Sequence, residues 1–121
     1  MKYINVLLLT LLLVSCNNDD NDGVGCTEIF VSGLNVTVRN AVTNEALRDG
    51  IVVTAVDGDY VEVLSTVDLS FIFFGAGERS GNYILTVTGT GFETFTSETI
   101  SVGADACHVI TEVVEVSLQP N

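Results

Sequence analysis

The feature that most constrains how this chain can fold is a side-chain period of two that recurs over most of its length. Leu34, Val36 and Val38 alternate with Asn35, Thr37 and Arg39. Successive side chains of a β-strand point to opposite faces, so this alternation describes a strand with one buried and one wetted side. The same rhythm, or a β-branched run, returns at residues 51–56, 60–64, 69–73, 83–87, 99–102 and 109–118. Residues 40–49 break it and are expected to form a long turn, with a short helix over 41–48 as the alternative. Asp57-Gly58 between two such runs is a hairpin signal of the type I′ kind, in which both central residues need positive φ. Gly75-Ala76-Gly77 and Ser80-Gly81-Asn82 bracket a further loop. The only proline, Pro120, lies outside every predicted strand, so nothing forbids ladder pairing. About seven short strands at regular spacing, with no sustained 3.6-residue pattern, predict an all-β fold, a single β-sandwich.

The first fifteen residues do not belong to that pattern. Lys2 precedes an apolar run from Val6 to Leu9 and Leu11 to Val14, which ends in Leu13-Val14-Ser15-Cys16. The run is shorter than the roughly 20 residues a membrane-spanning helix needs. A basic start, a short apolar stretch and a small residue before the cleavage point read as a signal peptide. The Leu-Val-Ser-Cys ending resembles the lipobox of bacterial lipoproteins. That resemblance implies cleavage before Cys16 and a lipidated thiol there, with several acyl chains anchoring the protein stably where one would hold it only marginally. Three segments follow: a signal peptide at 1–15, a lipidated cysteine with an acidic disordered tether at 16–25, and a folded domain at 26–121. The tether is Asn, Asp and Gly with one Val, too polar to bury a core. An acidic run directly after the lipidated cysteine resembles a signal for display on the outer face of the outer membrane.

Charge narrows the partners. The whole chain carries a formal −12. Cleavage would remove Lys2, leaving Arg39, Arg48 and Arg79 against sixteen carboxylates, a net −13. Nucleic acid is excluded as a partner, because its phosphates must be neutralised by basic side chains. Direct docking on an anionic bilayer is disfavoured on the same ground, so the membrane enters through the lipid anchor. With Cys16 consumed by lipid, Cys26 and Cys107 remain, an even number in an exported chain. They are expected to form a disulfide between the first strand region and the last.

The order of motifs suggests a family for the domain. Gly33-Leu34-Asn35-Val36-Thr37-Val38, then Thr43-Asn44-Glu45-Ala46-Leu47, then Ile51-Val52-Val53 resembles the opening of a carboxypeptidase regulatory-like domain. Gly81-Asn82-Tyr83-Ile84-Leu85-Thr86-Val87 resembles its Gly-x-Tyr strand, and Gly91-Phe92-Glu93-Thr94-Phe95 the turn after it. Asn44 stands where that family usually has Gly, and Ala46 where it has Pro. Asn tolerates left-handed backbone, so the turn survives the exchange. The resemblance implies a transthyretin-like, immunoglobulin-like β-sandwich that serves as an accessory module without catalytic residues or cofactors of its own.

The residues themselves offer little chemistry. His108 adjoins Cys107, but a Cys–His nucleophile needs a free thiolate within reach of the imidazole. At the start of a strand the two side chains would diverge, so a disulfide cysteine beside a surface or capping histidine is the expected arrangement. Structural zinc wants four Cys or His ligands, and three remain after lipidation. Asp57, Asp59 and Glu62 near the hairpin supply three carboxylates, short of the six to eight oxygens calcium takes. A small carboxylate-based envelope enzyme or a calcium-dependent binder around these residues is therefore the second reading. The first is a non-enzymatic, lipid-anchored envelope module that binds a protein or glycan, or serves a structural role.

One stretch departs from the alternation. Phe71-Ile72-Phe73-Phe74 is apolar on both strand faces. Leu69, Phe71 and Phe73 are expected in the core, with Ile72 and Phe74 outward. Either a loop covers this second face, or these two, with Arg79 from the adjacent glycine-flanked loop, form the candidate partner patch.

Overall fold

The computed structural model describes residues 25–121. The expected signal peptide, the expected lipid site at Cys16 and the expected tether as far as Val24 lie outside the described residues. Nine strands build two sheets, and no helix occurs among the described residues. They are β1 (Ser32–Asn40), β2 (Ala46–Leu47), β3 (Ile51–Asp57), β4 (Tyr60–Val63), β5 (Ile72–Gly77), β6 (Gly81–Gly89), β7 (Phe95–Thr96), β8 (Ile100–Val102) and β9 (Glu112–Leu118). In the first sheet β1 is central. It pairs antiparallel with β5 and β2, which share one flank, and parallel with β9. In the second sheet the order is β4-β3-β6, and β6 continues to β7 and β8 on its far side.

The inward halves of the alternating pairs meet as the core. Leu34, Val36 and Val38 from β1 face Val53 and Ala55 from β3 and Tyr83, Leu85 and Val87 from β6, all without solvent exposure. Val116 and Leu118 of β9, with Phe73 and Ala76 of β5, complete the first sheet's contribution. In β1 the period of two places the whole apolar set on one side, and a slip of one residue would turn it to water.

Both open sides of the sandwich are stitched. Leu64 N–H donates to the Val53 carbonyl in one sheet, and its neighbour Ser65 exchanges two backbone hydrogen bonds with Phe74 in the other. The chain thus crosses between sheets at a corner. Leu64 fills the space above Gly75, where an added Cβ would lie 2.5 Å from its Cγ. On the opposite side, Glu93 N–H donates to the Gln119 carbonyl and Asn121 N–H to the Gly91 carbonyl.

Several local expectations are corrected. The hairpin pairs Asp57 with Tyr60, so its central residues are Gly58 and Asp59. Only Gly58 has positive φ, +61°, the signature of a type II′ rather than a type I′ turn. Residues 41–48 form a turn and the short β2, not a helix: the Asn40 side chain accepts from the N–H groups of Val42 and Thr43, which competes with helical bonding. Asn44 takes φ +66°, a left-handed conformation that asparagine tolerates.

Leu69 and Phe71 are not core residues. Leu69 is 84% exposed and Phe71 46%. The strand begins only at Ile72, because residues 67–70 close a turn with Asp68 at φ +48°. Arg48 lies 5.6 Å from the Phe71 ring and donates to the Asp68 carbonyl, holding this turn outside the sandwich. Phe73 alone of the three is buried. The glycine-bracketed loop also shrinks, since Gly75–Gly77 finish β5 and Gly81 opens β6. The long last strand begins at Glu112, after a bend around Asp105–His108.

Candidate functional site

Because β1 and β9 run parallel side by side, the segments that lead into them arrive at the same end of the sandwich. Cys26 lies six residues before β1 and Cys107 five before β9. They form a disulfide with Cα atoms 5.3 Å apart. A second fastening lies beside it. His108 Nδ1 is 2.7 Å from Glu78 Oε2, and Nε2 is 3.1 Å from the Thr27 carbonyl. Acceptors at both ring nitrogens suit the imidazolium, which donates from each. Hydrogen bonding to Glu78 raises the His108 pKa, and this outweighs its loss of solvent. Burial pushes the Glu78 carboxyl up, but His108 and the N–H groups of Val31 and Val109 together hold it below the usual range.

Cys107 and His108 do not sit at the start of a strand, since β9 begins only at Glu112. They occupy a bend whose N–H groups both donate to Asp105 Oδ1. An open cleft of about 130 Å³ lies over it, lined by Glu78, Ser80, Asp105 and His108 among others. Its histidine and carboxylate are spent on each other and on backbone, and its cysteine on Cys26. The arrangement can clamp the entering chain.

Arg79 is not part of a patch with Ile72 and Phe74. Its guanidinium lies 3.7 Å over the Tyr60 ring. It also donates to Asp57 Oδ2 at 3.1 Å and to the Tyr83 hydroxyl at 3.0 Å. The Tyr83 hydroxyl in turn donates to the Arg79 carbonyl at 2.8 Å. The Tyr83 side chain is anchored in the core, so the arginine is drawn over the end of the second sheet, where a cation gains from both aromatic faces. Its own pKa is raised, first by Tyr83.

Asp57, Asp59 and Glu62 are not gathered either. Asp57 serves Arg79. Glu62 Oε1 accepts from the Tyr60 hydroxyl at 2.7 Å and from the Ala76 N–H at 2.9 Å. That hydrogen bond, with burial, pushes Tyr60 up to about 12. Tyr60 and Glu62 do share one face of β4, as alternation requires, while Asp59 stands exposed in the turn. Among the described residues, no three His, Cys, Asp or Glu side chains form a group able to hold a metal ion.

Ile72 and Phe74 lie on the outer face of the first sheet. Register sets Phe74 beside Asn35 and Asn35 beside Val113, with Ile72 beside Thr37. Ile72 is exposed and Phe74 half-buried, while Val113 is 74% exposed. The Asn35 side-chain amide oxygen, Oδ1, covered among these neighbours, has no hydrogen-bond partner. Asn35 lies on the wetted face that alternation assigns to it with Thr37, whereas Val113, two residues before Glu115 and so on the same face, was not singled out from the sequence. Glu78 carried no signal, since its contact with His108 spans thirty residues. No protein-family model matches this chain, and no curated protein is similar to it.

Proposed function

We propose that this chain is a lipid-anchored accessory module of the cell envelope. It is held at the outer membrane through Cys16, is non-enzymatic, and binds a protein or glycan partner or serves a structural role. The observation that carries this reading is the Cys26–Cys107 disulfide at the point where the chain enters the sandwich. Such a bond persists in oxidising compartments outside the cytosol. It also gives a tether pulled from the membrane a covalent hold on the fold. The engagement of His108, Glu78, Asp57 and Glu62 by internal partners supports a scaffold over a carboxylate-based enzyme. The surface around Ile72, Phe74 and Val113 is open to a partner, and a carboxypeptidase regulatory-like ancestry fits such a role.

The test is Cys16→Ala in the intact chain. Fractionation and intact-mass measurement should show loss of the acyl mass and release of the protein from the membrane. Undiminished membrane association of the variant would refute the anchor.

A further inference from the structure

The outer face of the second sheet is free of charge. Pairing register assigns to it Val61 and Val63 of β4, Val52, Thr54 and Val56 of β3, and Asn82, Ile84, Thr86 and Thr88 of β6. Thr96 of β7 and Ser101 of β8 complete it. None of these side chains is ionisable, although the chain carries −12 overall. All but Asn82 and Ser101 are β-branched. Val61 and Val63 are each 61% exposed, and Val52 and Ile84 are also open to solvent. Asp49 before β3, and Asp57 and Asp59 at its far end, place carboxylates only around the margin. The other sheet differs, since its outer face carries Arg39 and Glu115 in a 3.0 Å ion pair.

We propose that this face packs against the same face of a second copy, making a two-fold dimer of sandwiches. Three arguments choose that occupant. The face has no cation for a phosphate or an acidic partner and no aromatic ring on which a sugar could stack. Two copies of so acidic a chain repel wherever their carboxylates meet, whereas this approach confronts valine, isoleucine and threonine with their like, and self-complementarity is what a two-fold interface demands. Stiff β-branched side chains on a sheet also lose little rotamer freedom when covered by a second sheet at about 10 Å. The area is sufficient: the five strands stand in four ranks about 4.8 Å apart, since β7 and β8 share one flank of β6, and present on the order of 600 Å² per copy, so two copies bury about 1,200 Å², the lower bound for a stable specific interface.

Site-specific crosslinking of the full chain in intact cells tests this. Val61→Cys, Val63→Cys and Ile84→Cys, made singly and treated with a short bismaleimide, should give a species of doubled mass above the level of the unsubstituted chain. Val113→Cys, on the outer face of the other sheet, should not. Adding Val52→Glu or Thr88→Glu should reduce the crosslinked fraction at least about tenfold, since each substitution acts twice across a two-fold axis. Cys26 and Cys107 should stay protected from alkylation in both, which reports a retained fold. Absence of the dimer at all three positions, equal crosslinking at Val113→Cys, or indifference to both charge substitutions would overturn the proposal.

Discussion

At the scale of single residues, the His108–Glu78 contact gives the molecule a pH dependence with a defined sign. His108 has a raised pKa in the folded chain, so its contribution is complete below its ordinary value of 6.5 and is lost as pH rises through the higher folded value. Glu78 has a lowered pKa, so its contribution is complete above its ordinary 4.5 and is lost as pH falls through the lower folded value. The clasp is strongest between those two ordinary values. The melting temperature should therefore decline as pH is taken from 6 to 8, and His108→Gln should remove most of that slope. An unchanged slope in the variant would show that His108 does not titrate with folding. The partner residues of this contact were invisible in the sequence. A histidine next to a disulfide cysteine announces neither a carboxylate thirty positions earlier nor a threonine carbonyl at the other end of the chain.

At the scale of the element, β5 shows how a run of apolar residues misleads. Leu69, Phe71 and Phe73 alternate correctly for one buried face, yet only Phe73 reaches the core. Period two cannot say where a strand starts, and Asp68 carries no strong signal that its backbone turns left-handed. Stability measurements separate the two readings sharply. Phe73→Ala should cost about 3–5 kcal/mol, as truncation of a buried aromatic does. Leu69→Ser, at an exposed turn position, should stay within about 0.5 kcal/mol. Chemical denaturation of both variants checks this, and a large loss for Leu69→Ser would return that residue to the core. The hairpin errs by one residue for a related reason. Asp57-Gly58 marks a turn, but which two residues occupy its centre depends on the pairing of Asp57 with Tyr60 across the ladder.

At the scale of the whole molecule, the first and last strands are parallel neighbours, and the disulfide closes the loop that joins their approaches over 81 residues. Cross-linking a loop of that size restricts the unfolded chain by about 4.5 kcal/mol in the chain-entropy treatment. Reduction, or Cys26→Ser with Cys107→Ser, should lower the unfolding free energy by a sizeable share of that amount and leave the β-sheet signal in place. Two freely alkylated thiols in the unreduced folded protein would refute the pairing.

Local physics made some of this legible without coordinates. Alternation selected the inward residues of β1 and β6, because a strand's faces are decided by its own backbone, whereas the β-branched run of β3 is apolar on both faces and left its inward pair, Val53 and Ala55, unassigned. Setting Cys16 aside as the expected lipid site left two of the three cysteines, Cys26 and Cys107, to pair, and Asn44 could be named as a left-handed position because its side chain tolerates that backbone. The tertiary structure alone decided the rest. It turned Arg79 away from Ile72 and Phe74 and onto Tyr60, Tyr83 and Asp57. It brought β9 beside β1, and it gathered an uncharged face from five separate strands. Each of these depends on which strands become neighbours, a choice made by the packing of two sheets against each other and written in no single segment.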